Sequence, residues 1–137
     1  MLNVLILCTG NSCRSQMAHG FLAKMAENKA NIYSAGIKTH GLNKRAVAVM
    51  AEKGIDISQH TSNNVAEYAA VEMDFVITVC DNAKERCPYF PAKVQVLHHA
   101  FSDPAKATGT ESEIMSVFRQ VCEEIAIFCE DFVETKL

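Results

Sequence analysis

The sequence predicts an α/β fold in which a four-stranded parallel sheet carries helices on both faces. Three observations predict it. Val4–Leu7 and Phe75–Val79 are continuous apolar runs, the pattern of strands buried on both sides of a parallel sheet. Segments with apolar residues at helical spacing alternate with the strand-like runs, as in units that return each strand parallel to the last. No internal repeat, low-complexity stretch or linker interrupts the 137 residues, a length that fits one domain, 1–137, with one core.

Taken in order, Val4–Leu7 is the first strand, and a polar, glycine-containing turn, Thr9–Ser12, follows it. Met17, Ala18, Phe21, Leu22 and Met25 then recur at helical spacing. Asn31–Ser34 reads as a short strand ending before Gly36. Asn43–Lys53 reads as a helix stopped by Gly54, and Ser62–Ala70 as a short helix with Ser62 or Asn63 near its start. Phe75–Val79 is the third strand and Val94–Leu97 the fourth. The last long helix begins near Thr110, with Ile114, Val117, Val121, Ile125, Phe128 and Phe132 on one apolar face. Ligands of such sheets bind beyond the carboxyl ends of the strands, and the first such end is Cys8.

Composition narrows the function. Apolar residues make up 49% and charged residues 21%, ordinary values for a globular protein. A net charge of −3 offers no footprint for nucleic acid or an acidic membrane. The run Val4–Leu7 is too short to span a bilayer and no charged segment precedes it, so a cytoplasmic protein is expected, with monomer as the default state. The six cysteines, Cys8, Cys13, Cys80, Cys87, Cys122 and Cys129, do not suit a secreted disulfide framework, because a chain of this size can build its own core. They include no Cys-x-x-Cys pair, which argues against zinc. Nucleophilic or redox chemistry is the better expectation for some of them.

The strongest motif is Cys8-Thr9-Gly10-Asn11-Ser12-Cys13-Arg14-Ser15, a cysteine, five residues and an arginine between a strand and a helix. Backbone N–H groups of such a loop converge on one tetrahedral oxyanion, helped by the helix N-terminus. Arg14 adds a planar fork for two oxygens. The same positive field favours a Cys8 thiolate nucleophile, to which Ser15 can donate a hydrogen bond. Gly10 is expected to allow the tight turn, and Asn11 to tie the loop together through its amide.

A second motif is Cys80-Asp81-Asn82-Ala83-Lys84-Glu85-Arg86-Cys87-Pro88. Cys80 ends the strand Phe75–Val79, so it too belongs at the carboxyl edge of the sheet, near Cys8 if the two strands are adjacent. Were the segment helical, the Cα atoms of Cys80 and Cys87 would be roughly 10.5 Å apart, from about 1.5 Å of rise per residue. A disulfide needs them within about 7 Å. Oxidation would then have to unwind the segment.

These residues resemble the anion loop of low-molecular-weight protein tyrosine phosphatases and of the arsenate reductases that share their fold. The resemblance runs from Val4 through the last helix and includes Ser34-Ala35-Gly36 and Asp103-Pro104. It implies a low-molecular-weight phosphatase-like fold. It also implies that Asp103 is the general acid that protonates the leaving oxygen, although Asp-Pro is also a common turn former. Phosphatases of the family follow Asp-Pro with tyrosines that flank an aryl substrate. Here Ala105 and Lys106 follow, which weakens the phosphotyrosine reading.

The cysteine pair with Pro88 resembles the thioredoxin-coupled arsenate reductases more closely. That resemblance implies a relay: attack of Cys8 on arsenate, a transient Cys8–Cys80 disulfide, then a Cys80–Cys87 disulfide reduced by thioredoxin. No cofactor is needed. The alternative is a phosphatase working through a cysteinyl-phosphate; a second is a non-catalytic redox-sensing module that uses the Cys80–Cys87 pair.

Several conspicuous residues have plainer expectations. Cys13, Cys122 and Cys129 are expected to be packed thiols. His98 and His99 are expected to face opposite ways along a strand and so to hold no metal. His60, with Thr61-Ser62, is expected to support the anion loop, and Lys84, Glu85 and Arg86 to form a solvated face. Some relatives bind potassium through positions matching Asn11, His19, Ser34 and Asn63. Two carboxylates are replaced here, and hard cations prefer charged oxygen ligands, so no metal is expected.

Overall fold

The computed structural model describes residues 1–81 and 89–137. β1 (Leu2–Leu7), β2 (Ala30–Ala35), β3 (Phe75–Thr78) and β4 (Gln95–His98) form one sheet in the order β2-β1-β3-β4. Every pairing is parallel. The chain moves from β1 to one side for β2, then to the other side for β3. The carboxyl ends of β1 and β3 therefore flank the point where the strand order reverses, the usual place for a ligand crevice.

Alternation along β1 divides the core. Val4, Ile6 and Cys8 join the larger apolar cluster with Met17 and Phe21 of α1 (Arg14–Met25), Val49 and Met50 of α2 (Lys44–Glu52), and Phe118, Ile125 and Phe132 of α3 (Glu111–Lys136). Leu5 and Leu7 point the other way, into a smaller cluster with Met73, Val76 and Phe90, closed by Val65 and Tyr68 of a 3₁₀ helix, Val65–Tyr68. Helices thus cover both faces as expected, the α-helices on one and a single 3₁₀ turn on the other among the described residues. No helix there is long and apolar enough to cross a membrane.

The helices start and stop for local reasons. Asn43 caps α2 by accepting from the backbone of Arg45 and Ala46. Gly54 follows at φ +78°, a left-handed conformation that glycine adopts without strain. Thr110 and Glu113 form a capping box at the start of α3. At about 1.5 Å per residue, its 26 residues span the molecule. The core stripe of α3 contains Phe118, Cys122 and Cys129 in addition to the expected Val121, Ile125 and Phe132. Ile114, Val117 and Phe128 are only partly buried. Arg45–Glu111, Lys53–Glu123 and Arg119–Glu52 ion pairs join α2 to α3 on the outside. All six are exposed to solvent screening, so apolar packing holds the helices together.

Two expected elements differ. The helix expected over Ser62–Ala70 is the four-residue 3₁₀ helix capped by Asn64. Residues before it are already engaged: Ser62 Oγ donates to the Gly10 carbonyl, Asn63 N donates to Asn11 Oδ1, and Gly36 N donates to the Asn63 carbonyl. Bonds to another segment hold this backbone out of a helical ladder. β4 lies one residue later than Val94–Leu97, and its Val96 is 44% exposed, because an edge strand has only one neighbour to bury it.

Candidate active site

The anion loop occupies the gap between β1 and α1. Cys8 leaves β1 buried, and Cys13 is the N-cap of α1 without a side-chain capping bond. No acidic residue stands in the first turn of that helix, so its positive end is left to the loop. Cys8 Sγ lies 3.1 Å from Ser15 Oγ. Asn11 Nδ2 donates to Ser15 Oγ at 2.8 Å, which leaves the Ser15 hydroxyl proton for the sulfur.

Asn11 carries the left-handed turn at φ +45°. That corrects the expectation that Gly10 provides it. Asparagine tolerates this conformation better than most residues, and its side chain is then aimed inward to bond Ser15 and the Asn63 N–H. Gly10 serves a different purpose: the His40 ring lies in the space that a Cβ there would take, 2.4 Å from Nδ1.

A second shell of bonds fixes the loop backbone. Lys38 N donates to the Thr9 carbonyl, His40 N to that of Gly10, and Asn43 N to that of Ser12, each at 3.1 Å. Gln16 Nε2 donates to the carbonyls of Asn11 and Thr61, and Gln16 Oε1 is 3.0 Å from His60 Nδ1. Gly36 lies directly beneath the loop. A Cβ there would stand 2.7 Å from the Thr9 carbonyl oxygen and 2.8 Å from Asn11 N and the Cys8 carbonyl oxygen.

Arg14 and Asp103 meet at this loop from far apart in sequence. The Arg14 side chain is buried, donates through Nη1 to the Phe101 carbonyl, and has Nη2 3.7 Å from Asp103 Oδ2. Asp103 Oδ1 accepts from Ala105 N and caps the 3₁₀ helix Pro104–Lys106. One carboxylate oxygen thus makes the Asp-Pro turn while the other faces the arginine. The result is a cavity of about 230 Å³ whose floor holds Cys8 and Arg14 and whose rim holds His40, Asp103, Ala105 and Lys106. A larger apolar groove of about 670 Å³, between residues 69–73 and 90–93, contains no cysteine or histidine.

Of the expected site residues, Cys8, Thr9, Gly10, Ser12, Cys13, Arg14 and Asp103 line this cavity. Asn11 and Ser15 are buried behind it. Cys80 is buried just past β3, in the same apolar cluster as Cys8. Leu7 pairs with Thr78 across the two strands, and Val79 N bonds the Leu7 carbonyl. Cys80 does not line the cavity. Among the described cysteines, Cys8, Cys13, Cys122 and Cys129 are free thiols, whereas Cys80 is disulfide-bonded. Cys87, the expected Cys80–Cys87 pairing, and Lys84, Glu85 and Arg86 lie outside the described residues.

The remaining cysteines are buried. Desolvation raises the pKa of Cys122 to about 11 and pushes that of Cys129 further up. Cys13 is also pushed up, first by burial and then by the negative charge of Asp103 and Cys8. His98 bonds Thr78 Oγ1 while His99 stacks on Phe101 and Phe128. His19 bonds Ser34 Oγ at 2.8 Å and stacks on His60 with ring centroids 4.5 Å apart. Burial, with the nearby His60, lowers the pKa of His19 to about 4. Sequence reasoning missed Gln16, Lys106 and, most of all, His40. Nothing near residue 40 repeats or matches a motif, and only the tertiary contact with Gly10 reveals it.

Comparison with known proteins places the chain in a family. Residues 3–137 match the family model of the low molecular weight phosphotyrosine protein phosphatases. An arsenate reductase of Bacillus licheniformis is 48% identical over 132 residues, covering 96% of this chain and 95% of that protein. One of Halalkalibacterium halodurans is 46% identical with the same coverage. A solved arsenate reductase in the phosphate binding state superposes with a TM-score of 0.80 at 28% identity, covering 98% of each chain. With the cysteine loop, its arginine and the Asp-Pro turn gathered at one sheet edge, the chain belongs to the low molecular weight phosphotyrosine protein phosphatase family.

Proposed function

We propose that the protein reduces arsenate to arsenite through a relay of Cys8, Cys80 and Cys87, recycled by thioredoxin. The observation that carries this reading is that a second cysteine, Cys80, ends the strand hydrogen-bonded to the one that delivers Cys8. A phosphatase has no use for it. The relatives named above are arsenate reductases, and among the described residues the cavity rim carries no tyrosine, phenylalanine or tryptophan to flank an aryl ester.

The chemistry balances as follows. Arsenate sits in the loop with three oxygens toward the backbone N–H groups and Arg14. The Cys8 thiolate attacks arsenic, and one oxygen leaves as water with a proton from Asp103. Ser15 stabilises the sulfur before attack. The Cys80 thiolate then attacks the Cys8 sulfur. The S–As bond breaks with its electron pair left on arsenic, which departs as arsenite, and a Cys8–Cys80 disulfide forms. Cys87 attacks the Cys80 sulfur, frees Cys8 and leaves a Cys80–Cys87 disulfide, which the dithiol of thioredoxin reduces by the same exchange. The protein's own groups supply every step except this last reduction.

Phosphoester cleavage is the second reading, favoured by the matching family model, since Cys8, Arg14 and Asp103 suffice for it. One pair of assays separates the two: arsenate-dependent NADPH consumption with thioredoxin and thioredoxin reductase, and nitrophenol release from nitrophenyl phosphate. Cys80→Ser is expected to abolish the first and to retain whatever phosphoesterase activity the wild type has. Undiminished arsenate turnover by Cys80→Ser would overturn the relay, and loss of both activities would make Cys80 a structural residue.

A further inference from the structure

We propose that His40 is a substrate-binding residue that reads the fourth, outward oxygen of the bound tetrahedral anion and so selects a free inorganic oxyanion over its organic derivatives. This rests on the oxyanion-binding reading of the Cys8 loop.

Attack by Cys8 from the floor of the cavity places the leaving oxygen opposite the sulfur, toward the rim. Three oxygens are occupied by the loop and Arg14. The fourth is met only by what the rim provides, and His40 lies there with Asp103, Ala105 and Lys106. Asp103 passes a proton to that oxygen in the proposed chemistry, but with one oxygen accepting in its own turn and the other 3.7 Å from Arg14 it offers an anionic oxygen no fixed N–H donor. Ala105 has no polar side chain. Lys106 is exposed, on a three-residue 3₁₀ helix, and its four-carbon stem must lose rotamer freedom to make a fixed contact.

His40 is exposed as well, but its backbone and its short side chain both rest on the loop. Its N–H donates to the Gly10 carbonyl, and its ring fills the space that a side chain on residue 10 would take. The ring thus lies against the loop at the cavity mouth with two rotatable side-chain bonds against the four of lysine, and it offers an N–H there when protonated or in the tautomer that places the proton on the nitrogen facing the cavity. A preplaced donor to an anionic oxygen forms a charge-assisted hydrogen bond at little entropic cost.

Two probes of nearly equal size isolate the fourth position. Inorganic phosphate has an oxygen there, and methylphosphonate has a methyl group. Dissociation constants for both are measured calorimetrically on the full-length wild type, His40→Ala and His40→Gln. Wild type is expected to prefer phosphate. His40→Ala should weaken phosphate about tenfold, as loss of a hydrogen bond to a charged group implies, and methylphosphonate by less than threefold. His40→Gln, which restores a donor, should recover most of the phosphate affinity. Equal phosphate binding by His40→Ala and wild type would overturn the proposal while leaving the oxyanion site standing. A uniform loss for both probes, or no rescue by glutamine, would overturn it too, by making the ring a packing element. Failure of the wild type to bind phosphate would overturn the oxyanion reading together with it.

Discussion

At the scale of single residues, the site depends on a few atoms that no similar side chain reproduces. Arg14 is buried, and its planar fork reaches the Phe101 carbonyl and Asp103 at once. Arg14→Lys keeps the charge but offers a compact ammonium that cannot span both directions. It is expected to lower kcat/KM at least a hundredfold, measured in whichever of the two assays the wild type supports; turnover within tenfold of wild type would remove Arg14 from the site. Gly36 makes a complementary case with no functional group at all. The missing Cβ leaves room for three backbone atoms of the loop, all under 3 Å away, and backbone held by hydrogen bonds on both sides does not yield cheaply. Gly36→Ala should cost about 1–3 kcal/mol of stability, as overpacking does, and should also lower kcat/KM by displacing the loop. Urea unfolding and steady-state kinetics on the same preparation check both, and an active, fully stable variant would contradict the contact.

At the scale of elements, local pattern carries far where one force dominates. β1 and β3 are buried on both sides, so their apolar runs are unambiguous in the sequence. α2 and α3 have Asn43, Gly54 and Thr110 as visible ends. β4 is an edge strand whose single valine, Val96, is 44% exposed, and it begins one residue later than the apolar pattern suggests. The 3₁₀ helix Val65–Tyr68 is shorter than the sequence pattern suggests because the Ser62 hydroxyl and the Asn63 backbone N–H are engaged by Gly10 and Asn11 of the Cys8 loop. The site follows the same rule. Cys8, Arg14 and Ser15 are close in sequence and legible, and Gly36 is legible through the family resemblance, whereas His40 and Gln16 act only through contacts made by folding. α1 adds a prediction of its own. His19 is held neutral by burial, with its pKa lowered to about 4 against an ordinary 6.5. The unfolded chain therefore takes up a proton near pH 6.5 that the folded one refuses until near pH 4. Stability from this residue is complete above pH 6.5 and falls away as pH drops toward 4, by on the order of 2 kcal/mol given its partial exposure. His60, also lowered by burial, acts in the same direction. Urea midpoints at pH 7.5 and pH 5 should differ less in His19→Asn, which retains a polar partner for Ser34, than in the wild type; equal differences would show that His19 does not titrate as described.

At the scale of the whole molecule, the fold sorts six cysteines into different chemical lives by position alone. Cys122 and Cys129 sit in the α3 stripe against Met50 and Ala18, outside the cavity that Cys8 lines, and burial raises their pKa. Thiol exchange needs a thiolate and an approach path; burial denies Cys129 both, and it keeps Cys122, which borders a cavity between α2 and α3, as the protonated thiol. Cys13 lies in the loop yet is also pushed toward the protonated thiol. Cys8 and Cys80 alone among the described cysteines stand at the carboxyl ends of adjacent strands, where the strand order reverses. The proposed relay therefore predicts a specific pattern of oxidation. After full reduction and one arsenate turnover without reductant, peptide mapping of alkylated protein should find a disulfide between Cys80 and Cys87 and free thiols at Cys8, Cys13, Cys122 and Cys129. Cys87→Ser should release about one arsenite per protein and stop with Cys8 joined to Cys80, because the exchange that frees Cys8 has lost its attacking sulfur. Any disulfide that includes Cys122 or Cys129 would mean that burial does not partition the thiols as the fold implies. Arsenite release in repeated turnovers by Cys87→Ser, with thioredoxin restored, would mean that the reductant reaches the Cys8–Cys80 bond directly and that two cysteines suffice.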